Sequence, residues 1–170
     1  QDQFITSLTE LSEDSNISLS YMKNGKKINF DAPSNLNDLS KIISSNQSAK
    51  VVAAGTDLNL EITQSMREFS HIVSINRVAE LKEVKESANE IEIGAAVSYE
   101  EAKKSLTHYW PSLDSFLQRF ASLPIKNWAT IGGNIANASP IGDMAPVLIA
   151  LESKLKLRKG KVSRVILLED

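Results

Sequence analysis

The residues able to do chemistry are concentrated between Ala129 and Asp143, a run that reads Ala-Thr-Ile-Gly-Gly-Asn-Ile-Ala-Asn-Ala-Ser-Pro-Ile-Gly-Asp. It carries three glycines, two asparagines, two hydroxyl side chains, one proline and one carboxylate, with only small or β-branched apolar residues between them. Such a composition exposes backbone. Glycine reaches φ > 0 and lets a ligand come close, and paired N–H groups in tight turns form concavities that hold anions. The simplest ligand for that chemistry is a phosphate or pyrophosphate, with Thr130, Asn134, Asn137 and Ser139 available to phosphate oxygens or sugar hydroxyls. Ordinary turn composition explains the same residues, so a binding loop and a plain turn both stand on this run alone.

A second stretch has the same character. Lys50 to Leu60 reads Lys-Val-Val-Ala-Ala-Gly-Thr-Asp-Leu-Asn-Leu, a short apolar run that stops in Gly55-Thr56-Asp57. A buried strand ending in small polar residues delivers them to a strand's carboxyl end, where open α/β folds place their ligands. A strand-to-helix turn capped by Thr56 or Asp57 is the plainer alternative. Elsewhere the inventory is thin. His71 has no second histidine or carboxylate at ligand spacing and reads as a strand-entry residue. Glu100, Glu101, Lys103 and Lys104 read as a solvated helix face. No nucleophile, metal site or acid–base pair emerges, and neither G-x-x-x-x-G-K-[ST] nor G-x-G-x-x-G is present.

Patterning around these stretches supplies the elements that must position them. Phe4, Ile5, Leu8 and Leu11 recur about once per helical turn and predict a short amphipathic helix, the tail of a linker. Ile17 to Phe30 alternates around Lys23-Asn24-Gly25-Lys26, a hairpin signal. After Pro33, Ser34 or Asn35 caps a helix with the apolar stripe Leu36, Leu39, Ile42 and Ile43. A strand from Val51 to Ala54, the segment Leu58 to Arg67 and a strand from His71 to Ile75 form a β-α-β-like unit, for which parallel pairing is the default. Arg77 to Leu81 is a helical turn, and Glu90 to Ala96 alternates as a half-exposed strand. Ser98 with Glu101 is a capping box for a helix to about Leu106, which His108-Tyr109-Trp110-Pro111 breaks. Ser112 or Asp114 caps the next helix, with Leu113, Phe116, Leu117 and Phe120 as a core stripe. Pro124 to Asn127 leads into the glycine run, Asp143 caps a helix from Met144 to Leu151, and two antiparallel strands flank Lys159-Gly160-Lys161.

Composition sets outer bounds. The 170 residues suit one domain or one domain of two lobes, and 42% hydrophobic residues is ordinary for a globular chain. A net charge of −2, with the nineteen Lys and Arg spread along the chain, speaks against nucleic acid as a partner. No apolar run approaches the ~20 residues of a membrane span, and the start lacks a signal-peptide layout, so the expected setting is the cytoplasm. Asn-x-Ser occurs at Asn16, Asn46 and Asn137 and carries little weight without a secretion signal. The absence of cysteine removes disulfides, thiol nucleophiles and iron–sulfur ligation from this chain.

Taken together and in order, Ala54-Gly55-Thr56-Asp57-Leu58 and the long Gly-Gly-Asn run resemble the FAD-binding domain of the molybdenum hydroxylase flavoproteins. The likeness is nearest to the small subunit of the bacterial xanthine dehydrogenases. It extends through Arg77-Val78-Ala79-Glu80-Leu81-Lys82, Ile93-Gly94-Ala95-Ala96-Val97-Ser98, Phe120-Ala121-Ser122 and the closing Val165 to Asp170. It covers the chain from about Asp31 onward.

The resemblance implies an α+β fold of the vanillyl-alcohol-oxidase type in two lobes. A small lobe of about 31–76 has parallel strands, a larger lobe of about 77–170 has an antiparallel sheet, and 1–30 forms a linker helix and hairpin. The whole reads as one FAD-binding domain excised from a longer subunit. FAD would lie in the cleft between the lobes. On one side it would meet the run Val51, Val52, Ala53, Ala54, Gly55, Thr56 and Asp57, mainly through backbone N–H groups. On the other it would meet Ala129, Thr130, Gly132, Gly133, Asn134 and Asn137. Phe120 would stack on the isoalloxazine and Asp143 would lie beside the cofactor. Two departures stand out: Ala54 where glycine is common, and Pro124 where glutamine is more frequent. The implied partners are an iron–sulfur domain carrying [2Fe–2S] clusters and a molybdopterin subunit, with NAD⁺ or another acceptor receiving the electrons. An alternative is that the fold has lost its cofactor and serves as a scaffold between the iron–sulfur and molybdenum subunits.

Overall fold

The computed structural model describes residues 15–139 and 142–170, so the helix expected near the N-terminus lies outside the described residues. Chain order begins with strand β1 (Ile17–Lys23), strand β2 (Lys26–Ala32), helix α1 (Leu36–Ser45), strand β3 (Lys50–Val52), helix α2 (Leu58–Thr63) and strand β4 (His71–Ser74). A 3₁₀ turn (Ala79–Leu81) leads to strands β5 (Val84–Glu86) and β6 (Ile91–Ile93). Helices α3 (Tyr99–Tyr109), α4 (Leu113–Arg119), α5 (Leu123–Trp128), α6 (Ile131–Asn137) and α7 (Met144–Ala150) follow, and strands β7 (Lys154–Lys159) and β8 (Val162–Leu167) close the chain.

The first sheet has the order β1-β2-β4-β3. Its β1–β2 hairpin turns through Asn24 and Gly25, both at positive φ (51° and 74°), as the tightest hairpin turns require. The expected parallel pairing of β3 with β4 is present, with Val51 opposite Val73. The expected hairpin joins this sheet, because β2 pairs in parallel with β4 from Asn29↔His71 to Asp31↔Val73. Asn35 caps α1 by accepting from the Asp38 N–H, which fixes which of the two candidates does so.

In the other half, the antiparallel strands form two separate hairpins, β5–β6 and β7–β8. The latter is basic: six of the nineteen Lys and Arg lie between Lys154 and Arg164, a concentration that a reading of the charges as evenly spread passes over. Its tip reaches α1, where Ser40 Oγ donates to Gly160 O and Arg158 Nη2 donates to Asn37 Oδ1.

Two apolar clusters form the interior. Leu39, Val73, Ile75, Val78 and Ala96 make one under the first sheet. Val97, Tyr99, Ala102, Leu106, Leu117, Ile131, Met144 and Leu148 make the other among the helices. Ala96 and Val97 are chain neighbours assigned to different clusters, so the segment Gly94 to Ser98 is the seam between them. Packing along that seam leaves no room for a side chain at Gly94 or Gly132. A Cβ on Gly94 would lie 2.2 Å from Leu81 O, and one on Gly132 would lie 2.6 Å from the Cα, Cβ and O of Ala95. Ser98 caps α3 in a complete capping box with Glu101, as its spacing predicts, and bridges Thr130 through the backbone. That helix runs one turn further than expected, to Tyr109.

Candidate functional site

The first glycine segment leaves β3 and enters α2. The strand ends at Val52, two residues short of the expected Ala54, because the Val52 carbonyl accepts from Ile75 N–H and the Ala53 carbonyl is taken by the Asn76 side chain. Gly55 stands at φ +77°, where a side chain would be strained. No backbone hydrogen bond among the described residues uses the N–H groups of Ala54, Gly55 or Thr56. Three consecutive unpaired donors at a turn are the arrangement that receives an anion.

The second segment differs from the expected loop. Ile131–Asn137 is a short helix, α6, whose N-cap Thr130 accepts from the Gly133 N–H at 3.0 Å. Gly132 and Gly133 are therefore helical, and neither takes a positive φ. Their small size serves close approach: Gly132 to Ala95, and Gly133 to the Thr130 hydroxyl, 2.9 Å from where a Cβ would sit. The approach from Pro124 to Asn127 is also a helix, α5, with Pro124 in its first turn, where a missing N–H is tolerated. Lys126 on that helix is buried and donates from Nζ to Leu117 O at 3.0 Å, anchoring α5 on the end of α4.

The fold brings the two segments together. Asn137 Nδ2 donates to Asp57 Oδ2 at 2.5 Å across eighty positions of sequence. Asp57 and Asp143 stand at the starts of α2 and α7, yet neither side chain makes a capping hydrogen bond, and both are exposed. Phe120 ends α4 half-buried, with its ring 4.6 Å from Tyr99 and 5.7 Å from Phe116. Among the remaining candidates Val51 is exposed, Val52 to Thr56 are half-buried, Ala129, Gly132, Gly133 and Asn134 are half-buried, and Thr130 is buried. Ala121 and Ala138, which follow Phe120 and Asn137, both adopt left-handed φ (48° and 47°) at a cost of about 1 kcal/mol each for a residue with a Cβ.

Sequence reasoning passes over Tyr99. It is 1% exposed, and its hydroxyl has no hydrogen-bond partner among the described residues. Burial, and then the negative charges of Asp143 and Asp57, hold the phenol protonated well above its ordinary range. The side-chain oxygen Oδ1 of Asn134 is likewise buried without a partner. A buried polar group left unpaired costs about 1–3 kcal/mol, and Tyr99 and Asn134 each hold one beside these segments. His71 lies elsewhere, at the start of β4, and is satisfied within the fold: Asn46 Nδ2 donates to its Nδ1 at 2.8 Å, and its Nε2 lies 2.6 Å from Asp31 Oδ2. Among the described residues no cluster of His, Cys, Asp and Glu could hold a metal ion.

Residues 26–170 match the family model of the FAD-binding domain in molybdopterin dehydrogenases. The chain belongs to that family. The xanthine dehydrogenase of Drosophila subobscura is 32% identical over 153 residues, which cover 82% of this chain and 11% of that protein. The xanthine dehydrogenase/oxidase of Gallus gallus is 28% identical over 157 residues, covering 86% of this chain and 12% of that protein. Among solved structures, the carbon monoxide dehydrogenase of Hydrogenophaga pseudoflava superposes with a TM-score of 0.76 at 24% identity, over 82% of this chain and 50% of that one. This chain thus spans about a ninth of these dehydrogenases and about half of the solved chain. The mixed α+β architecture is the one expected of it. The unpaired N–H groups at Ala54 to Thr56 and the partnerless atoms of Tyr99 and Asn134 suit a cofactor with both anionic and hydrogen-bonding parts.

Proposed function

We propose that this chain binds FAD between the segments 51–57 and 129–137 and forms the flavin-bearing part of a molybdenum hydroxylase of the xanthine dehydrogenase kind. The observation that carries this reading is the meeting of the two glycine segments at the Asn137–Asp57 hydrogen bond, beside two buried polar atoms that lack partners. The free N–H groups of Ala54 to Thr56 would hold the diphosphate. Thr130, Asn134 and Asn137 would orient the ribityl chain and the sugar, and Gly132 and Gly133 would let α6 approach closely. Phe120 would lie against the isoalloxazine, where a ring face binds flavin by stacking, with Asp143 beside it. The lobes 31–76 and 77–170 would act as one FAD-binding domain.

The redox chemistry belongs to the cofactor and the protein supplies binding and electrostatics: bound FAD would carry electrons from an iron–sulfur donor of the [2Fe–2S] type to NAD⁺ or another acceptor. What this chain's own residues do is hold the cofactor, keep one face of it dry against the helical core, and place uncompensated carboxylates beside it. Hydroxylation of substrate belongs to a molybdopterin-bearing partner, and the complex works in the cytoplasm. Among the described residues no helix is long and apolar enough to cross a membrane.

The test is the visible absorption spectrum of the purified protein after incubation with FAD and exhaustive dialysis. Flavin bands that stay with the protein, and that are lost in Gly133→Asp, are expected. A folded protein that retains no flavin in any form of the subunit would favour the scaffold reading instead.

A further inference from the structure

Among the described residues Tyr99 carries a buried hydroxyl donor without a hydrogen-bond partner. Its ring is committed to the helical core, 4.6 Å from Phe120, and its backbone N–H donates to Ala129 O at 3.1 Å. The residue is therefore pinned between Phe120 and the start of the second segment, with its main chain next to the Ser98–Thr130 bridge. Its hydroxyl has under 1 Å² of accessible surface and no partner among the described residues, so neither bulk water nor any of those residues satisfies it. Phenylalanine would fill the same volume without that cost, since replacing an unpaired buried hydroxyl by an apolar group is neutral or stabilising.

Resting on the FAD reading above, we infer that Tyr99 is a cofactor-binding residue, whose hydroxyl donates a hydrogen bond to an acceptor atom of FAD bound in the cleft. The donor role follows from the surroundings. The carboxylates of Asp143 and Asp57 are near enough to oppose a phenolate, and burial opposes it further, so the group stays a neutral O–H. The flavin ring system and the diphosphate both present acceptors to such a donor, whereas the other partnerless atom beside these segments, Asn134 Oδ1, is an acceptor. The pair therefore offers one donor and one acceptor, which fixes the orientation of a ligand carrying both.

The experiment compares the protein with its Tyr99→Phe variant by two readouts: thermal denaturation without FAD, and the FAD dissociation constant from quenching of flavin fluorescence. The expected result is a melting temperature unchanged or raised in the variant, together with a dissociation constant raised roughly tenfold, the size of one net hydrogen bond. A structural role for the hydroxyl would instead lower the melting temperature of the variant without FAD. Wild-type binding that Tyr99→Phe leaves unaltered would overturn the inference and leave the FAD reading intact. Wild-type protein that binds no FAD would overturn both. Should Tyr99→Phe fold poorly, Tyr99→Leu provides the second variant: affinity held within twofold of wild type would again overturn the inference.

Discussion

Gly132 owes its identity to Ala95. A methyl group there would stand 2.6 Å from three atoms of that residue, two of them backbone, so something in the seam between the clusters must move. Gly132→Ala is expected to destabilise the protein by about 1–3 kcal/mol in urea denaturation, even though alanine is the better helix former by about 1 kcal/mol. A variant as stable as wild type would show that the seam yields easily. In the sequence this glycine reads as a flexible turn residue, and that reading fails for a physical reason: what selects it is a contact with a residue thirty-seven positions earlier. Gly55 is the opposite case. Its positive φ is a local property, and Gly-Thr-Asp after an apolar run announces it. Tyr99 is illegible for the same reason as Gly132. An aromatic residue at the start of an amphipathic helix looks like core, and only the assembled fold reveals that its hydroxyl is stranded.

At the scale of elements, what was legible was local. Ser98 and Glu101 are three residues apart, and both halves of their capping box form, at 3.2 and 2.8 Å. Asn24-Gly25 makes its hairpin, and the β3–β4 pair is parallel as its crossover demands. Helices α5 and α6 were not legible, because six- and seven-residue segments holding Pro124, Gly132 and Gly133 have poor intrinsic propensity and are held by packing and by capping. Thr130 is the residue that makes α6 begin where it does, through its hydroxyl on Gly133 N–H. Thr130→Ala should cost about 1 kcal/mol in thermal denaturation, and Thr130→Ser should recover most of it, since the hydroxyl alone does the capping. Equal stability of Thr130→Ala and wild type would mean that α6 stands on its packing alone.

Across the whole molecule, two apolar clusters meet at Ala96 and Val97, and the candidate cleft follows from that division. One cluster backs the sheet whose strand β3 leads into Ala54 to Asp57, and the other backs the helices around Phe120, Tyr99 and Thr130. The order of motifs along the chain makes this two-part plan readable, while the Asn137–Asp57 contact that joins the segments and the separation of β5–β6 from β7–β8 depend on packing no local pattern encodes. Amide-resolved NMR of the 18.7 kDa chain during titration with FAD tests the location most directly. Resonances of Ala53 to Asp57 and of Ala129 to Asn137 are expected to shift together and saturate with one affinity, while those of α1 and the β7–β8 tip stay still. Shifts confined to α1 and that tip, or no shifts at all in the folded protein, would contradict it.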